Sequence, residues 1–190
     1  MTTLAEHLRQ SSEVLSRMAD LTGPAEDMAE RICRALQAGK KVVTFGNGGS
    51  AADAQHFAAE LVARFETERQ ALPAIALSTD TSVLTAIAND YSYDQIFSRQ
   101  VQALVQPGDV VIAITTSGNS TNVLEAVREA KRKKAVTIGL TGGTGGKLKA
   151  AVDLCVCVPS PRTAHIQECH IALIHAVCAL VDQAFLAAIV

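Results

Sequence analysis

Side chains that can bind metals or move protons recur at helical spacing in two stretches of the 190-residue sequence. His56 and Glu60 lie four residues apart in the first stretch, so they share one face of a predicted helix, ~40° apart. Gln167 and His175 lie eight residues apart in the second stretch, ~80° apart by the same geometry. Two imidazoles, a carboxylate and an amide oxygen could together bind a zinc-like ion. A histidine on an apolar helix also suits a buried or interface position, and spacing alone leaves both interpretations open.

Two more histidines lie in the second stretch, but their positions separate them from this set. His170 points ~140° away from His175 on the same predicted helix. His165 lies at the start of that helix, where the first turn frays. We therefore expect neither histidine to join the metal site.

Two turns rich in glycine and hydroxyl side chains form a second chemical feature: GNGGS at 46–50 and TTSGNS at 115–120. Each lies between a predicted strand and a predicted helix, and helix N-termini attract phosphate through unpaired N–H groups and the helix dipole. The patterns G-x-x-x-x-G-K-[ST] and G-x-G-x-x-G are both absent, which favours a sugar phosphate over a nucleotide. The alternative is an ordinary helix cap, a role that Ser50 also fits. The third turn, TGGTGG at 141–146, is expected to be structural.

Apolar patterning predicts the elements that position these residues. We expect two opening helices at 3–20 and 25–38, and then an alternation of helices with short β-branched strands. The predicted strands are 41–45, 74–77, 109–115, 135–140 and 153–158. The predicted helices between and after them are 50–65, 81–88, 93–105, 121–133 and about 164–187. This order indicates an α/β fold with a doubly wound five-stranded parallel sheet, in one domain over residues 1–190.

The composition excludes several classes of function. Aromatic residues make up 4% of the chain and the net charge is −2, so a nucleic-acid reader based on base stacking or a basic field is disfavoured. The apolar segment 171–190 is interrupted by His175, Asp182 and Gln183, and we expect it not to span a membrane. The N-terminus lacks the apolar region of a signal peptide, which predicts a cytoplasmic protein. The mean hydropathy of +0.21 then indicates a large buried interface.

The five cysteines show no C-x-x-C pair, and we expect buried structural thiols.

Five strings occur together along the chain: GNGGSAADAQH (46–56), AIANDY (86–91), FSRQV (97–101), TSGNS (116–120) and IQExHxxxxH (166–175). This set resembles the bacterial phosphoheptose isomerases, which are sugar isomerase (SIS) domain proteins with a flavodoxin-like sheet. The resemblance implies conversion of sedoheptulose 7-phosphate to D-glycero-D-manno-heptose 7-phosphate. That reaction is the first step in making the ADP-heptose precursor of the lipopolysaccharide core.

The resemblance also implies a role for each matching residue. It places one Zn2+ per subunit on His56, Glu60, Gln167 and His175, with Glu60 and His175 as the catalytic acid–base pair. The substrate-binding residues that it implies are Asn47, Gly48, Gly49, Ser50, Asp53, Glu60, Arg64, Asn89, Asp90, Thr115, Thr116, Ser117, Ser120 and Gln167. It further implies a homotetramer with active sites at subunit interfaces, in which the helices of residues 1–40 make oligomer contacts. No direct binding to nucleic acid or to a membrane is expected.

A second resemblance leads to a different function. The strings RFETER (64–69), LPAIAL (72–77) and LTAIAND (84–90) resemble DiaA-type proteins, which share the fold and the tetramer but bind the replication initiator DnaA. In that group, residues unable to do the isomerase chemistry replace the pair that this chain retains as Glu60 and His175. A SIS-type sugar-phosphate sensor without catalysis is a third hypothesis.

Overall fold

The computed structural model describes residues 3–186, and the predicted end of the closing helix at 187 lies outside them. Within that range one parallel sheet has the strand order β2–β1–β3–β4–β5. Its strands are β1 (Val42–Gly46), β2 (Ala74–Ala76), β3 (Val110–Ile114), β4 (Val136–Gly142) and β5 (Leu154–Val158). This is the flavodoxin-like order, and it confirms the predicted doubly wound α/β fold. The topological switch lies between β1 and β3, because the chain leaves these neighbours toward opposite edges of the sheet.

Helices flank the sheet at α1 (Leu4–Arg17), α2 (Thr22–Gln37), α3 (Gly49–Val62), α4 (Thr81–Asp90), α5 (Ser98–Leu104), α6 (Thr121–Arg132), α7 (Gly146–Ala151) and α8 (Thr163–Leu186). The predicted helix 93–105 is instead a 3-10 turn at Tyr93–Gln95 followed by α5. Sequence patterning missed α7, whose six residues are too few to show a helical period. Helix α3 ends at Val62 and not at Phe65.

Strand side chains alternate between two apolar cores, one on each face of the sheet. Val42 and Ile112 pack into the core that α2, α3 and α8 cover. Val43 and Phe45 pack into the opposite core, which α5 and α6 cover. Both faces are therefore buried, which explains why β1 and β3 are almost continuous apolar runs and not alternating ones.

Helix α8 accounts for much of the chain's hydrophobicity. By length and composition alone it could cross a membrane, because its most apolar 18-residue window has a mean hydropathy of 1.7. The expectation that polar residues rule this segment out on composition is therefore wrong. Half of that window is buried inside the protein, and Ile174, Val177 and Val181 of α8 lie in the core beside α2 and α3. A buried core helix passes the same test of length and hydropathy.

Candidate functional site: the α3–α8 cluster and the turns after β1 and β3

Helices α3 and α8 bring three of the predicted metal ligands together. His56 Nε2 lies 3.0 Å from Glu60 Oε1 and 3.1 Å from His175 Nε2. One ligand atom from each residue lies within 4.8 Å of the other two. His56 and Glu60 meet because they are one helical turn apart, whereas His175 reaches them only through the packing of α8 on α3. We call these three residues the α3–α8 cluster.

The donor set of the cluster fits a zinc ion with an open coordination position. Zinc in catalytic sites commonly has three protein ligands drawn from histidine and carboxylate, each about 2 Å from the ion, and a fourth position for water or substrate. The three ligand atoms are close enough to share one ion at such distances. The Phe65 ring packs against His175, with 5.4 Å between the ring centroids, and limits the rotation of that imidazole.

Gln167, the fourth predicted ligand, lies apart from the cluster in the single chain. Its side-chain amide packs directly on Gly49, where any Cβ would collide with it. Gly49 precedes His56 by seven residues on α3, which corresponds to about 10 Å of helix rise. Gln167 therefore adjoins the turn after β1, and its role as a ligand stays a prediction.

The turns after β1 and β3 lie side by side at the topological switch. The paired strands end together, with Gly46 opposite Ile114, so the segments 47–50 and 115–120 start at the same edge of the sheet. Ligands of this fold bind outside the carboxyl ends of the strands at such a point. The predicted phosphate turns therefore share one crevice edge.

Within residues 3–186, no side chain caps the N-terminus of α3 or α6. The N-cap of α3 is Gly48, so the expectation that Ser50 caps this helix is wrong. Ser120 occupies the N-cap position of α6, but its hydroxyl pairs with the Thr115 hydroxyl at 3.0 Å instead. In α3, Ser50 N and Ala51 N already donate to the carbonyls of Asn47 and Gly48 at 3.0 Å, whereas the first hydrogen bond of this kind in α6 comes from Leu124 N. The start of α6 therefore keeps its first N–H groups available to an anion, which favours the phosphate interpretation for the turn after β3.

The turn after β3 carries several hydroxyl groups that lie close to one another. Thr115 Oγ1 also lies 3.4 Å from Ser117 Oγ, which in turn accepts a hydrogen bond from Asn119 N. Ser117 is exposed and Thr115 is buried, so the hydroxyl groups extend from the strand end to the surface. Thr116 contributes its carbonyl to Gly142 N at 3.1 Å and ties the turn to β4.

The glycine-rich turn 141–146 and the residues directly after it pack against the turn after β3. This contact agrees with the structural role expected for the turn. Gly118 has a φ of +66°, and a Cβ at that position would collide with the backbone of Gly145. Leu148 N donates to Gly118 O at 2.9 Å, and Lys147 N donates to the Asn119 side chain at 3.1 Å. Glycine at 118 is thus required both by its dihedral angle and by this close backbone approach.

Asp53 lies on α3 one turn before His56. Its Oδ2 is buried and has no hydrogen-bond partner among the described residues. Burial raises the pKa of this carboxyl group to about 6, and the nearby His56 partly opposes the increase. Asp53 therefore offers an unsatisfied acceptor beside the cluster.

Comparison with known proteins gives a consistent result. The profile of the SIS domain matches residues 6–142. The phosphoheptose isomerase of Trichlorobacter lovleyi is 52% identical over 181 residues, which cover 95% of this chain and 92% of the relative. The structure of phosphoheptose isomerase GmhA from Neisseria gonorrhoeae superposes with a TM-score of 0.90 at 47% identity, over 95% of this chain and 97% of the other. The chain belongs to the phosphoheptose isomerase family of SIS-domain proteins.

A second phosphoheptose isomerase structure, from Francisella tularensis, superposes with a TM-score of 0.92 at 39% identity, over 95% of this chain and 96% of the other. Likeness over nearly the whole length of both chains confirms the family and the fold that the motifs predicted.

Three of the predicted substrate residues of this family member are exposed and make contacts outside the cluster. Arg64 is exposed, and its guanidinium lies 3.6 Å from Glu68. Asn89 and Asp90 are exposed at the end of α4, where the Asn89 side chain donates to Asp90 at 2.8 Å. Their roles in substrate binding stay predictions, and a site at a subunit interface, as the family resemblance implies, is where they would act.

Asn47, by contrast, makes hydrogen bonds that hold the turn after β1 in position. Its side-chain amide exchanges two hydrogen bonds of 2.9 Å with the amide of Asn122 on α6, and Tyr93 donates to its Oδ1 at 3.0 Å. This pair holds the turn after β1 against the start of α6. A crevice of about 250 Å³ opens beside it, lined by residues that include Gly48 and Thr85.

A buried ion pair fixes the end of α3 that carries Glu60. Arg69 contacts Asp182 of α8 at 2.6 Å and donates to the carbonyls of Glu60 and Leu61. Asp182 also accepts the backbone N–H groups of Glu66 and Thr67 at 3.2 Å, which shapes the loop after α3. Sequence reasoning took Asp182 only as an interruption of an apolar run. Its partner Arg69 is 113 positions away, so only the fold reveals the pair.

Proposed function

We propose that this chain isomerises sedoheptulose 7-phosphate to D-glycero-D-manno-heptose 7-phosphate. The observation that carries the proposal is the convergence of Glu60 with His56 and His175 in the α3–α8 cluster. The uncapped start of α6 suits the phosphate of such a substrate. High identity to proteins named phosphoheptose isomerase supports the same substrate class.

The chemistry assigned to Glu60 and His175 is proton transfer through an enediol. A base removes one proton from C1 of the ketose, and return of a proton to C2 gives the aldose, while the hydroxyl proton moves between the two oxygens. A carboxylate and an imidazole can together act as the base near the carbons and the acid near the oxygens. Arg69 donates to the Glu60 carbonyl and pairs with Asp182 of α8, which favours a constant position for the carboxylate.

The turn after β3 is assigned to the phosphate. Ser117, Ser120 and the first N–H groups of α6 would bind the phosphate oxygens, with Thr115 and Thr116 beside them. Binding energy gained at this end, remote from C1, orients the reacting end of the sugar. The mechanism therefore requires no basic surface, in keeping with the net charge of −2.

We assign a zinc ion to His56, Glu60 and His175, with Gln167 as a further ligand where the assembled protein brings it near. When bound, the ion would polarise the sugar oxygens and ease enolisation. The proposal also covers a cytoplasmic homotetramer with active sites at its interfaces, serving the first step of ADP-heptose synthesis.

The test is product formation from two substrates. The purified chain is incubated with sedoheptulose 7-phosphate, or with sedoheptulose as a control, and aldose formation is followed by the NMR signals of its anomeric proton. We expect conversion of the phosphate ester and much slower conversion of the free sugar, because the free sugar lacks the phosphate contacts.

A folded protein that forms no aldose would contradict the proposal. Binding of the phosphate ester without turnover would then favour the sensor hypothesis. Capture of purified DnaA, together with no turnover, would favour the DiaA-type alternative.

A further inference from the structure

We propose that His7, His165 and Glu168 form a second site for a divalent transition-metal ion, which ties α1 to α8. This site is built from the N-terminal helix and the first turns of α8, whereas the α3–α8 cluster uses His56, Glu60 and His175. The sequence motifs assign no role to His7 and set His165 aside.

The ligand atoms already converge. His7 Nε2 lies 3.1 Å from Glu168 Oε1, and one atom from each of the three residues lies within 4.8 Å of the other two. The His7 and His165 rings are tilted by 59°, with 5.1 Å between their centroids. Two imidazoles and a carboxylate thus face one point from two helices that are separated by about 160 positions in sequence.

His165 supplies an independent observation that points to a ligand at this site. The residue is 2% exposed, and its Nε2 is buried without a hydrogen-bond partner among the described residues. Buried polar groups are nearly always paired, so an unpartnered imidazole needs an explanation. Coordination of an ion by this ring would offset the loss of its hydration.

The surroundings of Glu168 resemble the outer shell of a metal site. Ser11 Oγ donates to Glu168 Oε2, which fixes the carboxylate and leaves Oε1 directed toward His7. Hydrogen bonds of this kind orient carboxylate ligands in metal proteins. The side chains of His7 and Glu168 are 32% and 41% exposed, so an ion can enter from solvent.

The donor set selects the class of ion. Imidazole nitrogen suits zinc, copper, nickel and cobalt, whereas calcium and magnesium require several oxygen ligands. Zinc is the probe of choice because three such ligands and a water complete its usual tetrahedral shell.

A metal here would strengthen a weakly attached helix. Within α1, Val14 is the only buried residue, and Leu4 and Leu8 are exposed. The α1–α8 contact also includes the hydrogen bond from Ser11 and a polar contact between Gln10 and Arg162. An ion that binds only the folded arrangement would raise the melting temperature by mass action.

The experiment counts zinc ions per chain. The full chain, purified without a polyhistidine tag and stripped of metal, is equilibrated with Zn2+ alone, and bound zinc is measured by mass spectrometry. We expect two ions in the wild type, one in His7→Ala, one in His56→Ala and none in the double variant. His7 is half-exposed, so His7→Ala preserves folding where His165→Ala could fail. Zinc should also raise the melting temperature of His56→Ala but not that of the double variant.

A thiol pair provides the control. The sulfur atoms of Cys155 and Cys157 lie 3.7 Å apart on β5, and burial raises the pKa of the Cys155 thiol to about 12, which disfavours the metal-binding thiolate. Cys155→Ser should therefore retain both ions. Retention of two ions by His7→Ala, or loss of the second ion from Cys155→Ser alone, would overturn the proposal. A wild type that binds one ion, lost in His7→Ala and kept in His56→Ala, would support this site and contradict the zinc of the proposed function.

Discussion

At the scale of residues, the α3–α8 cluster depends on two kinds of proximity. His56 and Glu60 meet through one turn of helix, and His175 joins them because α8 packs along α3. The carboxylate and both imidazoles thus face a common point, which is the arrangement that both metal binding and proton transfer require.

Removal of the metal is the first prediction at this scale. Dialysis against a chelator should lower turnover of sedoheptulose 7-phosphate, and added Zn2+ should restore it, because the cluster would lose its electrostatic support for enolisation. His56→Ala should lower turnover without rescue by equimolar zinc. Full activity of chelator-treated protein, with metal content checked by mass spectrometry, would count against a catalytic metal.

Ser117 gives a prediction about the phosphate. Ser117→Ala should raise KM for sedoheptulose 7-phosphate about 10-fold or more, since a hydrogen bond to a charged group is worth about 1.5–3 kcal/mol. Steady-state kinetics measures the change. Ser16→Ala is the matched control, because the exposed Ser16 hydroxyl only contacts the backbone of its own helix. An unchanged KM in Ser117→Ala would remove this residue from the phosphate site.

At the scale of elements, the turn after β3 depends on the turn after β4. A Cβ on Gly118 would collide with the backbone of Gly145, and a Cβ on Gly146 would collide with the backbone of Ser117 and Gly118. The α6 N-terminus that we assign to the phosphate is therefore held in place by a loop that need not touch the ligand.

Substituting Gly118 tests the contact between the two turns, and Gly39 provides the control. Gly39→Ala introduces strain at a positive φ of +72° in open space and should cost about 1–2 kcal/mol of unfolding free energy. Gly118→Ala has a similar φ but must also displace Gly145, which should add about 1–3 kcal/mol. Urea denaturation measures both variants. Equal losses of unfolding free energy in the two variants would show that the contact between Gly118 and Gly145 is unimportant to stability.

The sequence predicted the order of elements well and the contacts between them poorly. Five strands and the flavodoxin-like fold follow from apolar runs and turn residues, and each predicted strand overlaps an observed one. The helix α7, the Asn47–Asn122 pair and the Arg69–Asp182 pair were missed, because they depend on short segments or on residues far apart in sequence. The position of Gln167 against Gly49 likewise comes only from the packing of α8 on α3.

At the scale of the whole molecule, the surplus of apolar residues lies in two places. Part of it is α8, which is half-buried in the core. Another part is the exposed face of α1, where Leu4, Leu8 and Leu15 lie within ~40° of one another around the helix. An apolar stripe on a terminal helix suits contact with another subunit, in accordance with the predicted homotetramer.

The stripe leads to a prediction about assembly. The wild type should elute as a tetramer in size-exclusion chromatography with light scattering, and Leu8→Asp should shift it to smaller species, because a charge in an apolar interface is costly to bury. Ser16→Asp places the same charge ~80° away on α1 and should leave the tetramer intact. A Leu8→Asp variant that remains tetrameric would exclude this face from the interface.

The most direct test of the central claim is the kcat of Glu60→Gln with sedoheptulose 7-phosphate. Glutamine keeps the shape of the side chain but cannot exchange a proton, so we expect kcat to fall about 100-fold or more with the fold intact by circular dichroism. Glu68→Gln, on a carboxylate that is 89% exposed, is the matched control and should match the wild type. Turnover by Glu60→Gln at the wild-type rate would contradict the assignment of the α3–α8 cluster as the catalytic centre.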